Sequence, residues 1–285
     1  MQALLNQHWL IDAEEIAILH GGMNSQTWEV TNRANRWVLK LVPPHAPPGF
    51  RSGLFAAAAL DAAGLPSGAP VTTRDNQLAV QLPQGTAALL TWVEGTPLSS
   101  SPGDVLEIGR MLATAHSVLQ QVAIPDAPPF DWIACDAAHL GVEPWVRTAV
   151  TEAVREWQDV RSAVTTWGFL HGDPAPEVFL HDQGTNTYGI IDWASGVRGP
   201  LLYDLASAAM YLGREATPTL VEAYASHGTV PRAEIERGLP TLQRYRYAVQ
   251  ADYFARRLQD NNLTGIGDPA DNQEGLDDAR AMLGA

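Results

Sequence analysis

Between Ile16 and Val42 apolar and polar residues alternate in short runs separated by turn formers, IAILHGGMNSQTWEVTNRANRWVLKLV. Such a period of two predicts strand, glycine turn, strand, turn, strand, with Lys40 pointing opposite to its neighbours. Ser52 to Ala63 is rich in Leu and Ala and reads as a helix closed by Gly64 and Pro66. Further strands are predicted at Gln77 to Gln81 and Ala87 to Val93. Glu94 to Asp104, EGTPLSSSPGD, is dense in turn formers, and beyond it the period lengthens to that of a helix. Val105 to Val122, Glu143 to Thr166, Pro218 to Ala225, Arg232 to Asp260 with a break near Pro240, and Glu274 to Leu283 read as helices. Among them VFLHDQGTNTYGIIDW reads as a hairpin turning at Gly184. The pattern predicts an α+β fold in two lobes: a small antiparallel-sheet lobe with one helix over residues 1–95, and a larger, mainly helical lobe over 96–285, with a cleft between them.

Composition narrows the function. The 285 residues carry 18 Lys and Arg against 32 Asp and Glu, a formal charge of −14. That balance argues against a nucleic-acid partner, which needs clustered cations, and favours a neutral or cationic small molecule. Apolar residues at 46% and charged residues at 18% indicate a packed globule. No apolar run is long enough to span a membrane and the first residues lack a secretory leader, so the expected location is the cytoplasm, as a monomer or homodimer. Cys135 stands alone, which excludes an intrachain disulfide and reads as an inert thiol. All but one of the basic residues are Arg. The exception, Lys40, suggests a position that needs a slender point charge rather than a planar fork.

His171-Gly172-Asp173 precedes the hairpin and Ile191-Asp192-Trp193 closes it, so the hairpin brings Asp173 and Asp192 towards one pocket. Two converging carboxylates suit one acting on a hydroxyl and one holding Mg²⁺. HGDPAPEVFL followed by GIIDWASGVRGPLLYDLA resembles the signature of the aminoglycoside phosphotransferase and choline kinase superfamily, small-molecule relatives of the protein kinases. LHGGMNSQTWEV is similar to that superfamily's nucleotide loop, RWVLKLV to its lysine strand, LLTWVEGTPL to its hinge and MLATAHSVL to its helix ending in Leu-His. The resemblance covers about residues 15 to 210, in order.

The resemblance implies a protein-kinase-like fold that uses ATP or GTP with Mg²⁺ to phosphorylate a hydroxyl of a small molecule. Asp173 would be the catalytic aspartate, Asp192 a Mg²⁺ ligand, and Lys40 the contact to the nucleotide phosphates. The loop with Gly21, Gly22, Asn24 and Ser25 would cover those phosphates, and the backbone from Thr91 to Val93 would hold the base. His171 is expected to brace the catalytic loop, and Asp204, beside Tyr203, to fix its backbone. Arg198 would face substrate or brace the loop. His116 reads as a satisfied core or boundary histidine.

Two departures stand out. The superfamily's metal-binding Asn falls at Val178, which has no ligand atom, so either the neighbouring Glu177 binds the metal or one metal site is missing. The acid that pairs with the lysine is absent between Leu41 and Leu60. Gly53 stands near its place, and Asp61 would need a shifted helix. Lys40 is therefore expected to lack an ion-pair partner and to be mobile until nucleotide arrives. From Arg244 to Arg280 seven acids accompany five Arg. They read either as an ordinary solvated helical face or as a wall favouring a cationic acceptor such as an aminoglycoside or amino alcohol. The alternatives to a kinase are a kinase-like binding module that has lost turnover and, more distantly, a metal-dependent hydrolase built on the Asp pair.

Overall fold

The computed structural model describes residues 1–19, 24–44, 49–130 and 132–285. A five-stranded antiparallel sheet holds β1 (Glu15–Leu19), β2 (Gln26–Thr31), β3 (Arg36–Val42), β4 (Val80–Leu82) and β5 (Gly85–Thr91), in the order β1-β2-β3-β5-β4. Strand alternation decides what each face meets. Leu39 and its β5 partner Leu89 turn to one side, where they pack with Val30 and with Leu5 and Trp9 of α1 (Gln2–Trp9). Lys40 shares the opposite face with its partner Ala88, which packs with Phe50 and Leu54 of α2 (Phe50–Ala62).

The remainder is mainly helical. It comprises β6 (Thr96–Pro97), α3 (Pro102–Leu119), α4 (Val146–Val160), β7 (Trp167–Leu170), β8 (Phe179–Asp182), β9 (Thr187–Ile190), β10 (Val197–Pro200), α5 (Leu202–Leu212), α6 (Thr217–Ala225), α7 (Arg232–Gln259) and α8 (Asp271–Leu283). Helix α3 starts where the turn chemistry places it: Ser101 Oγ accepts from the Asp104 N–H at 3.3 Å, with Pro102 at the first helical position. The predicted hairpin is β8 and β9, joined through Asp182 to Thr187 and extended by β6. Phe130, Trp132, Tyr203 and Tyr245 form one aromatic cluster, Trp132 and Tyr203 meeting edge to face at 4.8 Å.

The α+β architecture matches expectation, while several local readings need correction. Helix α7 runs unbroken through Pro240. The ring removes one donor and leaves the Glu236 carbonyl without its helical bond, but Glu236 and Pro240 both lie on the exposed face, where water can substitute. Buried Leu239 and Leu242 hold the opposite face in register. Helix α4 stops at Val160, and the chain passes through a short 3-10 turn into β7. Helices α1 and α5 and strands β7 and β10 were not anticipated. Helix α5 is strongly apolar, with every residue from Leu202 to Ala209 buried.

Candidate active site

The loop that joins β7 to β8 carries His171 and Asp173, and hydrogen bonds tie it down from below. Asp204, fully buried on α5, accepts the His171 N–H at Oδ2 (2.6 Å) and the Gly172 N–H at Oδ1 (2.9 Å). His116 Nε2 meets the same Oδ2 at 3.0 Å, and its Nδ1 lies 2.7 Å from the Tyr224 hydroxyl. His116 is thus the satisfied core histidine expected, and Asp204 fixes the loop as the resemblance implies. Gly172 needs its lack of a side chain: φ is +89°, and a Cβ there would stand 2.3 Å from the Ser195 carbonyl oxygen.

His171 pins the two carboxylate-bearing segments together. Its Nδ1 accepts the Asp173 N–H at 3.3 Å, so Nε2 carries the proton and donates to the Ile191 carbonyl at 2.8 Å. Asp192 follows Ile191 in a left-handed conformation (φ 65°, ψ 57°), a strained geometry for a non-glycine residue. Its carboxylate accepts from Lys40 Nζ at 2.5 Å. Lys40 is 9% exposed at its side chain, whereas Asp192 keeps 48% of its own open. Burial pushes the Asp192 carboxyl up, but the Lys40 ammonium beside it, with lesser help from His171 and the Ala194 N–H, holds it below the usual carboxylate range.

The Lys40–Asp192 pair corrects one expectation: Lys40 has a partner, contributed by the segment after β9 and not by α2. Asp61 is exposed and makes no ion pair with Lys40. Gly53 explains why α2 carries no acid at its inner face. A Cβ there would lie 1.9 Å from the Trp193 carbonyl oxygen, so the helix packs backbone to backbone on the turn that follows Asp192. In a free helix Gly→Ala stabilises by about 1 kcal/mol. Here Gly53→Ala should instead destabilise, by roughly 1–3 kcal/mol or more, because neither backbone can yield without moving the other. Urea denaturation reads the sign. Gly53→Glu should likewise fail to supply Lys40 with a second partner.

Asp173 is held on one oxygen only. Its Oδ1 accepts from the Tyr211 hydroxyl at 2.6 Å and from Arg246 Nη2 at 3.1 Å, while Oδ2 has no partner among the described residues. Each carboxylate therefore sits in a pair with a cation, and His171 bridges the two segments that carry them.

The profile of the phosphotransferase enzyme family matches residues 15–248. The chain belongs to that family. Solved structures with the same fold include an amicoumacin kinase in complex with AMP-PNP and Ca²⁺ (13% identity, 96% of this chain and 89% of that one, TM-score 0.73). A microcompartment-associated aminopropanol kinase (19% identity, 94% and 90%, TM-score 0.70) and the choline kinase LicA of Streptococcus pneumoniae (14% identity, 99% and 97%, TM-score 0.70) are also similar. No curated protein sequence matches the chain.

In this phosphotransferase Gly21 and Gly22 lie outside the described residues. Asn24 and Ser25 follow them into β2, and Asn24 Oδ1 accepts from the Tyr253 hydroxyl of α7 at 3.2 Å. Thr91 ends β5 and donates its N–H to the Ala69 carbonyl at 2.9 Å. Val93 packs over Gly189, just beyond the end of β5. Val178 is buried (8% exposed) and its carbonyl accepts the Ile191 N–H at 2.9 Å, whereas Glu177 is exposed on a 3-10 turn. Among the described residues no three His, Cys, Asp or Glu side chains cluster as a ready-made metal site. Asp192 remains an open, hard oxygen donor, which fits a Mg²⁺ whose other ligands are phosphate oxygens and water.

Arg198 borders a surface hollow with Gln120, Ile124 and Trp167, and its backbone pairs with Pro128 and Phe130. Of the seven tail acids, Asp252 is buried between His139 and Arg256, and Asp271 accepts from N–H groups at its own helix start. Among the described residues none of the seven hydrogen-bonds to the loop that carries Asp173. The tail's contribution there is basic and aromatic, namely Arg246 and Tyr253, and it was visible in the sequence only as the unassigned run RYRYAVQADYFARR. No helix among the described residues is long and apolar enough to cross a membrane.

Proposed function

We propose that the chain transfers the γ-phosphoryl group of ATP or GTP to a hydroxyl of a small molecule. The observation that carries this reading is Asp173 with Oδ2 free on a loop that His171 ties to the segment bearing Asp192. The acceptor oxygen attacks the γ-phosphorus, the bond from that phosphorus to the β,γ-bridging oxygen breaks, the nucleoside diphosphate leaves, and the hydroxyl proton passes to Asp173 Oδ2. Residues 1–95 act as the nucleotide-binding lobe and 96–285 as the lobe of the catalytic loop and acceptor site. The backbone from Thr91 to Val93, at the end of β5, would hold the base, and Gly21, Gly22, Asn24 and Ser25 would cover the phosphates. A Mg²⁺ held by Asp192 would neutralise charge on the phosphates, freeing Lys40 to contact them. The need for magnesium nucleotide fits a cytoplasmic enzyme. The relatives' acceptors named above, amino alcohols and an antibiotic, define the first compounds to assay.

Thermal shift with ATP and GTP, with and without Mg²⁺, followed by phosphotransfer assays on those acceptors, tests the reading. Absence of any magnesium-dependent nucleotide effect would reject it. A kinase-like binder that has lost turnover is favoured by one observation only, the buried Val178 where the resemblance expects a metal-binding Asn. Glu177, beside Val178, is the side chain that would replace the missing ligand. In an active enzyme that uses it, Glu177→Ala should raise the Mg²⁺ concentration needed for half-maximal rate several-fold and leave the melting temperature unchanged. An unaltered Mg²⁺ titration would remove Glu177 from the metal site.

A further inference from the structure

Asp173 sits on a short loop, and a carboxylate there could present either oxygen to the cleft. Two donors from two helices remove that symmetry. Tyr211, in the last turn of α5, donates to Oδ1, and Arg246, midway along α7, donates to the same atom. Arg246 is itself held: Nε donates to Ser207 Oγ at 2.9 Å, and Nη2 also donates to the Tyr211 hydroxyl oxygen at 3.0 Å. Ser207 and Tyr211 are four residues apart on α5, hence on one face, so a single helix face and a single guanidinium make a closed set of contacts with Oδ1. The Arg246 side chain is only 9% exposed, so its charge is committed to this place and not to solvent. Burial pushes the Tyr211 phenol up, which keeps its proton in place as a donor.

Building on the kinase reading, we infer that Arg246 and Tyr211 are positioning residues for phosphoryl transfer: by saturating Oδ1 of Asp173 they present Oδ2, the free oxygen, to the acceptor hydroxyl. An ammonium could not reproduce this, because one planar group must reach Ser207 through Nε while Nη2 serves both the carboxylate and the phenol. The cost of losing such orientation falls on the chemical step and not on nucleotide binding, since the hydrogen bonds of Arg246 among the described residues go to Ser207, Asp173 and Tyr211.

The test compares wild type, Arg246→Ala, Arg246→Lys, Tyr211→Phe and Ser207→Ala. Turnover is followed with ATP and GTP on aminopropanol, choline, kanamycin and water, and Mg·AMP-PNP binding by calorimetry. Arg246→Ala should lose roughly 10- to 100-fold in kcat, the loss of hydrogen bonds to a charged group, with the AMP-PNP Kd unchanged. Millimolar guanidinium should restore much of that kcat, and equimolar urea should not. Arg246→Lys should recover little, and Tyr211→Phe and Ser207→Ala should show smaller kcat losses in proteins that melt near wild type. Should Arg246→Ala not fold, the Tyr211→Phe and Ser207→Ala rates decide alone. Wild-type kcat in those two variants, or an Arg246→Ala defect in kcat that guanidinium leaves untouched, overturns the inference while the kinase reading stands. A wild type that binds nucleotide yet phosphorylates no acceptor and hydrolyses nothing overturns the kinase reading and the inference together.

Discussion

Asp173→Asn should lower phosphotransfer by roughly 10²- to 10⁴-fold, the range expected when a positioned proton acceptor is removed. The size of the effect follows from the asymmetry of the site. Tyr211 and Arg246 both donate to Oδ1, so the new amide will turn its carbonyl oxygen towards them and keep those bonds. Its NH₂ group then occupies the place of Oδ2. A donor faces the acceptor hydroxyl where an acceptor is needed, and no proton can be taken up. The backbone ties from Asp204 to His171 and Gly172 do not involve the mutated side chain. The variant should accordingly melt in one transition, lowered by the lost charge on Arg246, and bind magnesium nucleotide as wild type does. Product formation by radiolabel transfer, together with circular dichroism melting, checks both halves. A variant with near wild-type kcat would remove Asp173 from the chemical step.

The parts of the site legible in the sequence are those written in consecutive residues. The HGD and IDW segments are joined by one hairpin whose alternation and turn formers are local, so the proximity of Asp173 and Asp192 segments could be read from spacing. Lys40 likewise advertised itself as the one lysine on an alternating strand. What was hidden is pairing between distant segments. Lys40 and Asp192 are separated by 152 positions and Asp173 and Arg246 by 73, and no local pattern encodes either pair. Tyr211 and Ser207 were missed for a further reason: no helix was read over 202–212, so nothing placed these two polar residues, four positions apart, on one face. Gly53 was visible as a missing acid, but the cause, direct contact of α2 with the Trp193 carbonyl, belongs to tertiary packing.

Lys40→Ala should weaken Mg·AMP-PNP binding by roughly 10- to 150-fold, equivalent to about 1.5–3 kcal/mol for hydrogen bonds to a charged group. The phosphates lose their ammonium, which outweighs the greater freedom that Asp192 gains to hold Mg²⁺ once its partner is gone. Lys40→Arg should recover a minor part. Its charge is the same, but the buried face of β3 looks towards α2, which is already in backbone contact with the Trp193 carbonyl, so a wider planar head has little room. The pair also has a signature in acid. Because the Asp192 carboxyl is held below its ordinary value, the pairing stabilises the fold at all pH values above the ordinary carboxylate range. That contribution is lost only as pH falls through the lowered value. The melting temperature of wild type minus that of Lys40→Ala should therefore be constant near neutrality and shrink in acid. A difference that instead grows on acidification, or identical nucleotide titrations for the two proteins, would show that Lys40 serves neither Asp192 nor the phosphates.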